Sequence, residues 1–128
     1  MGYRDMLRNR ARVFRPNPSA PALNTWNQNT APAVAVVPVV PADGGEAIPC
    51  YHTAASGSRT VTVEGQDEQI TVTVDLDIAE DVRGADVLCL DDGRNIRVLD
   101  VRIVAGGHHK IADCREDAKY AHVPNPYR

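Results

Sequence analysis

The stretch "VRIVAGGHHKIADC", residues 101–114, brings two adjacent histidines and a cysteine together behind a Gly106-Gly107 turn. Imidazole and thiol are the side chains that bind zinc or act as acid, base and nucleophile near neutral pH. A second pair, Cys50 and His52 in "IPCYHTA", has the two-residue spacing that puts both on one face of a strand. Cys50, His52, His108 and Cys114 are therefore the candidate metal set. Two features weigh against it. His108 and His109 begin a predicted strand and so point to opposite faces, and Cys114 lies six residues beyond His108. The close C-x2-C or H-x3-H pairs that make a zinc site specific are missing. The expectation is no metal and no cofactor, with one histidine packed or hydrogen-bonded at the rim of the fold and the other exposed.

Catalytic constellations fare no better. The chain has no G-x-S-x-G, H-E-x-x-H or Walker loop, and neither Gly44-Gly45 nor Gly106-Gly107 is a phosphate cradle. Its strand carboxylates alternate with apolar positions, the pattern of a wet outer face. The reading is that the chain is not an enzyme.

The elements that would carry these residues are mostly strands. Residues 69–78, "QITVTVDLDI", alternate without a fault, with Ile70, Val72, Val74, Leu76 and Ile78 on one side. "RTVTVEG" alternates before it, and "EGQDEQ" is read as the turn between the two. "DVLCL-DDGR-NIRVLDVRIV" reads as a hairpin, with Asp92-Gly93 supplying the tight reversal. Its apolar phase slips between Val98 and Leu99, which predicts a bulge or strong bend. "HHKIADCRE" makes a last strand. Residues 1–15 read as an Arg-rich arm, with a short helix or turn running into a first strand. Residues 16–45 hold six of the nine prolines and form a long irregular segment, with Trp26 as its anchor. Residues 46–116 make the β-barrel and 117–128 a polar tail. The class is all-β, either a small antiparallel barrel (SH3-like) or a sandwich, with a long loop and arms.

Bulk numbers agree with one modest domain. Val, Leu, Ile and Phe together are 29 of 128 residues, about 23%, just above the roughly 20% below which disorder is favoured. Val dominates this set, which suits pleated strands. The apolar run at 31–42 is too short to span a bilayer and is broken by Pro32, Pro38 and Pro41. With no leader pattern and an odd number of cysteines, a soluble protein with free thiols in a reducing compartment is expected. Net charge is −3, yet residues 2–15 carry a local +4 and residues 60–100 a local −8. Opposed poles of this kind suit stacking or a charged partner. One Phe and one Trp are too few to stack bases on an acidic barrel, so a single-strand-binding module fits poorly.

An Arg-rich start running into "ARVFRP", followed by "SRTVTVEGQDEQITVTVDLDIAEDVRGADVLCLDDGRNIRVLDVRIVAGGHHKIADCRE", resembles the head-closure, or head-to-tail stopper, proteins of long-tailed phages. The residues that carry it are Gly84-Ala85-Asp86 before the hairpin around Gly93, and "HHKIADCRE" after its glycine turn. The likeness covers about residues 56–116 and, more weakly, the first fifteen; segment 16–45 departs from it. What the resemblance implies is a virion structural protein, made in the host cytoplasm and located in the neck. It would form a homo-oligomeric ring, hexameric or dodecameric, beneath the portal or its adaptor. The ring would retain packaged DNA, touch it only non-specifically, and dock a tail terminator or tail tube protein, with no membrane involved. A tail terminator or another neck ring is the alternative. Arg4, Arg8, Arg10, Arg12, Trp26, Tyr120 and Tyr127 are then the expected partner contacts.

Overall fold

The computed structural model describes residues 6–16, 36–55, 59–63, 65–104, 106–117 and 120–128. Arg4 and Trp26 lie outside the described residues, as do the greater part of segment 16–45 and of the expected N-terminal helix or turn. Among the described residues nine strands follow in order: β1 (Asn9–Pro16), β2 (Val36–Pro38), β3 (Ile48–Ala54), β4 (Thr60–Val63), β5 (Gln66–Gln69), β6 (Val72–Asp77), β7 (Val87–Leu90), β8 (Asn95–Val104) and β9 (His109–Glu116).

Six of them run β1-β3-β6-β9-β8-β7 in antiparallel neighbours, and β7 pairs back onto β1 to close a barrel. The architecture is the all-β barrel, not the open sandwich. β1 is shared three ways. One edge pairs with β3 through Asn9–Ala11 and with β2 through Phe14–Pro16, while the other carries β7. The core follows from the period of two. Val72, Val74 and Leu76 of β6 meet Ala11 and Val13 of β1, Ile48 and Cys50 of β3, Leu88 and Leu90 of β7, Ile96 and Val98 of β8, and Ala112 and Cys114 of β9.

β7 has no polar alternation because both its faces are covered. Leu88 and Leu90 enter the barrel, while Val87 and Cys89 join Phe14, Tyr120 and Val123 in a second cluster. That cluster exists because residues 120–128 fold back onto the barrel instead of forming the expected polar tail. The Asn95 amide donates to the carbonyls of Tyr120 and Val123, both at 2.9 Å. The Asn125 amide donates to Leu90 O and to Asn95 Oδ1, each at 3.1 Å. Satisfied buried amides of this kind fix a segment in place, since leaving them unpaired costs about 1–3 kcal/mol each.

The phase slip in β8 is a bulge, located between Val98 and Asp100. "EGQDEQ", however, is not a turn throughout. The chain reverses at Gly65 (φ +81°), and Gln66–Gln69 is a strand that pairs with β4 as a separate hairpin. The alternating run therefore splits at Ile70 and Thr71, where the chain changes partners: Ile70 N donates to Arg59 O, Thr71 N to Cys114 O. The hairpin lies over the barrel, held by Glu68 between Arg97 (3.4 Å) and Arg115 (2.6 Å). Ile78, expected to point inward, falls in the turn after β6 and is exposed.

Ala85 is the one non-glycine among the described residues with a positive φ, +74°. Its amide donates to Val98 O at 2.8 Å, so the turn is fixed. The left-handed conformation costs an L-residue roughly 1–2 kcal/mol, against about 0.5–1 kcal/mol of extra chain entropy for glycine. Ala85→Gly is therefore expected to stabilise the protein by up to about 1 kcal/mol. A urea midpoint that falls would contradict this account of the turn.

Candidate functional site

The structure separates the candidate metal set. Cys50 and Cys114 are fully buried within the barrel core, and burial pushes the Cys50 thiol up to about 12, with help from the Asp91 carboxylate. Burial likewise raises the Cys114 thiol, with Asp113 and Cys50 adding to it. His108 lies just ahead of β9, six residues from Cys114, and even His109, where β9 starts, is a run of about 17 Å from that cysteine at strand rise. Among the described residues, no three His, Cys, Asp or Glu side chains come together to hold a metal. His108 also differs from the expectation in its setting. It is the last residue of the turn, β9 starting at His109, so strand alternation does not hold the two rings apart.

His52 is placed by a carboxylate that spacing did not reveal. Its Nε2 lies 2.9 Å from Asp91 Oδ1, and Asp91 also accepts from the Arg10 amide (2.9 Å) and the Asn9 side chain (3.4 Å). One carboxylate in the β7–β8 turn thereby ties together β1, β3 and the hairpin. Burial opposes its ionisation, but the hydrogen bonds from His52, Arg10 and Asn9 prevail and hold it below the usual carboxylate range. The sequence signal for Asp91 was its place in the Asp-Asp-Gly turn. The fold alone brings His52 to it.

A second carboxylate, Asp86, is 1% exposed and accepts two hydrogen bonds from the Arg15 guanidinium, at 2.9 and 3.0 Å. It also accepts from the Arg83 amide at 2.9 Å. Arg15 reaches Asp81 as well, and the bond to Asp86 is the main cause of its raised pKa. Nearby, fully buried Glu80 accepts from the Ala42 amide at 2.9 Å, and Lys110 Nζ donates to the Glu80 carbonyl at 2.9 Å. These contacts bolt the 39–45 and 78–86 segments onto one end of the barrel.

The surface inherits what remains. Arg10 and Arg12 alternate with buried Ala11 and Val13 and so face outward along β1, in phase with Arg8. Arg12 lies 5.4 Å from the Phe14 ring centroid, and no ion pair to a described residue engages Arg8, Arg10 or Arg12. Arg15, by contrast, is taken up internally and leaves the basic pole. The acidic pole is similarly reduced, because Asp81, Asp86, Asp91, Asp92 and Glu68 all have internal partners. Tyr120 is 6% exposed and packs in the second cluster, whereas Tyr127 is exposed. A polar cleft of about 460 Å³ lies beside the C-terminal segment, but its arginines are already engaged, Arg94 by Asp92 and Glu116, Arg128 by backbone carbonyls. Strand edges that lack a neighbour among the described residues include the outer edge of β2, β8 from Asp100 to Val104, and the outer edges of the β4–β5 hairpin. Val37 and Ile103 on these strands are exposed.

The carboxylate pairs set the stability profile. Asp81, Asp91 and Asp92 all have folded pKa values below their ordinary one. Their contribution is thus fully present above the unfolded pKa, about 3.9, and is lost as pH falls through the folded values. Urea midpoints are expected to hold from pH 7 to about 5 and to drop below about 4. Asp91→Asn should lower the midpoint at pH 7 and nearly close the gap to wild type at pH 3; a constant gap would exclude the carboxylate as its source. Arg15→Ala strands the buried Asp86 carboxylate and should cost about 3 kcal/mol or more. A loss below about 1 kcal/mol, the value of an ordinary surface pair, would show that Asp86 does not depend on it.

No family model matches the chain, and no curated protein matches it. Among solved structures, it is similar to the protein xkdH of the phage-like element PBSX from Bacillus subtilis, at 17% identity and a TM-score of 0.51. The likeness covers 85% of this chain and 93% of that one, and it is a likeness of fold.

Proposed function

We propose that this chain is a structural protein of a phage particle, forming a ring in the neck that retains packaged DNA and docks the tail. The observation that carries the reading is the fold shared with a protein of a phage-like element over most of both chains. The resemblance of residues 56–116 to head-closure proteins supports it independently of that comparison.

Physical features of the barrel suit such a role. A closed barrel has few edges to mispair, and the open edges of β2 and β8 offer main-chain hydrogen bonds to a neighbour without a large apolar patch. A heterologous contact repeated about an axis closes into a ring. The outward arginines of β1 are the contact for the acidic face of a neighbouring subunit or of the adaptor above. Tyr127 remains a contact for the tail. Because residues 120–128 complete the second cluster, removing them would unfold the protein and test nothing about docking; Tyr127→Ala is the appropriate change.

Quantitative mass spectrometry of purified particles is expected to find this chain at a copy number comparable to the portal. Absence from particles, or copies far in excess of the portal, would overturn the reading. Within it, Arg8→Glu with Arg10→Glu is expected to leave the circular dichroism spectrum unchanged and to prevent attachment to heads, seen as free tails and leaking heads by electron microscopy. Normal attachment would remove the β1 arginines from the account.

A further inference from the structure

The β8–β9 hairpin ends in a feature that the proposed function does not draw on. His108 Nδ1 and His109 Nδ1 lie 2.9 Å apart, with the rings edge-on at 88° and their centroids 5.2 Å apart. Both backbone positions are fixed. The His108 amide donates to Val104 O at 3.0 Å, and His109 is paired on both sides, with Val104 of β8 and Asp77 of β6. Gly106 and Gly107 turn the chain at φ +66° and +96°, conformations that a side chain would strain. The His108 side chain is exposed and the His109 side chain is half-buried, so water and small ions reach the pair.

A metal bound by two imidazoles at 2.0–2.1 Å with a right angle between the bonds requires nitrogens about 2.9 Å apart. The separation seen here is that bite. We propose that His108 and His109 form a two-nitrogen chelate for a divalent transition-metal ion, with Cu(II) preferred over Ni(II) and Zn(II). The preference follows from the order of divalent affinities and from the right-angled geometry, which suits tetragonal copper better than tetrahedral zinc. Water fills the remaining positions, since no third protein ligand is gathered at the tip among the described residues. Asp77, opposite His109, adds negative charge beside the site. Binding requires each ring to turn its Nδ1 lone pair toward the ion. The ring that donates its Nδ1 proton in the metal-free pair moves that proton to Nε2. Nothing is oxidised or reduced.

The test is titration of the full-length protein with Cu(II) alone at pH 7.4, followed by electron paramagnetic resonance and by NMR of the histidine ring protons. The expected result is one ion per chain with nitrogen coupling from two imidazoles, and selective broadening of the His108 and His109 signals at substoichiometric copper. His108→Ala and His109→Ala should each weaken binding by more than the roughly tenfold that losing an outer-shell partner typically costs. His122→Ala should leave binding unchanged. Both histidines lie at the surface end of the hairpin, so an unchanged circular dichroism spectrum confirms folded variants. Absence of copper binding, binding kept in both single variants, or binding lost in His122→Ala would each overturn the proposal. Its failure would leave the neck-ring reading untouched, because that reading does not rest on this pair.

Discussion

Closure of the barrel rests on one strand. β1 pairs with β3, β2 and β7, so it is the stave at which the two ends of the six-strand sheet meet. The pairing is between residues more than seventy positions apart, Ala11 with Leu90 and Phe14 with Val87. Every inward residue of the core depends on that seam being shut, because an open sheet of this length would expose Ala11, Val13, Leu88 and Leu90 along its two edges. Both ends of the seam carry a charged clasp: Asp91 on the backbone of Arg10 at one, Asp86 on the guanidinium of Arg15 at the other. Polar contacts thus register the strand pair whose apolar faces supply most of the stabilisation.

The same device recurs wherever irregular chain meets the barrel. Glu80 receives the Ala42 amide, and Asn95 and Asn125 hold the C-terminal segment by its carbonyls. None of these groups is needed to make a barrel. Each replaces water for a backbone donor or acceptor that would otherwise be buried unpaired, which is what lets non-repetitive segments pack closely. Much of the acidic character visible in composition is consumed this way, and the surface is less polarised than the local charges of the sequence suggest.

The barrel was legible because period-two alternation in β6, the Asp-Gly reversal and the phase slip at Val98–Leu99 are local facts. β5 was hidden because "QDEQ" has no apolar residue, and its strand state comes from pairing with "TVTV" and from Glu68 reaching Arg97 and Arg115. The C-terminal segment read as a polar tail for a similar reason. Its few apolar residues, Tyr120 and Val123, have no period, and the asparagines that fix it look like turn formers. The Asp91 partnership of His52 and the meeting of His108 with His109 are tertiary facts. In the first case the partner is thirty-nine residues away, and in the second a turn cancels the alternation rule that kept the rings apart on paper.

The three thiols are all buried, and burial raises each of them above its ordinary pKa, Cys89 to about 11. The thiolate is the species that reacts with oxidants and disulfides, so a native molecule offers almost none of it. A folded chain of this kind therefore resists crosslinks and mixed disulfides in air or an oxidising medium. That durability comes from packing and calls for neither a covalent staple nor a reductant.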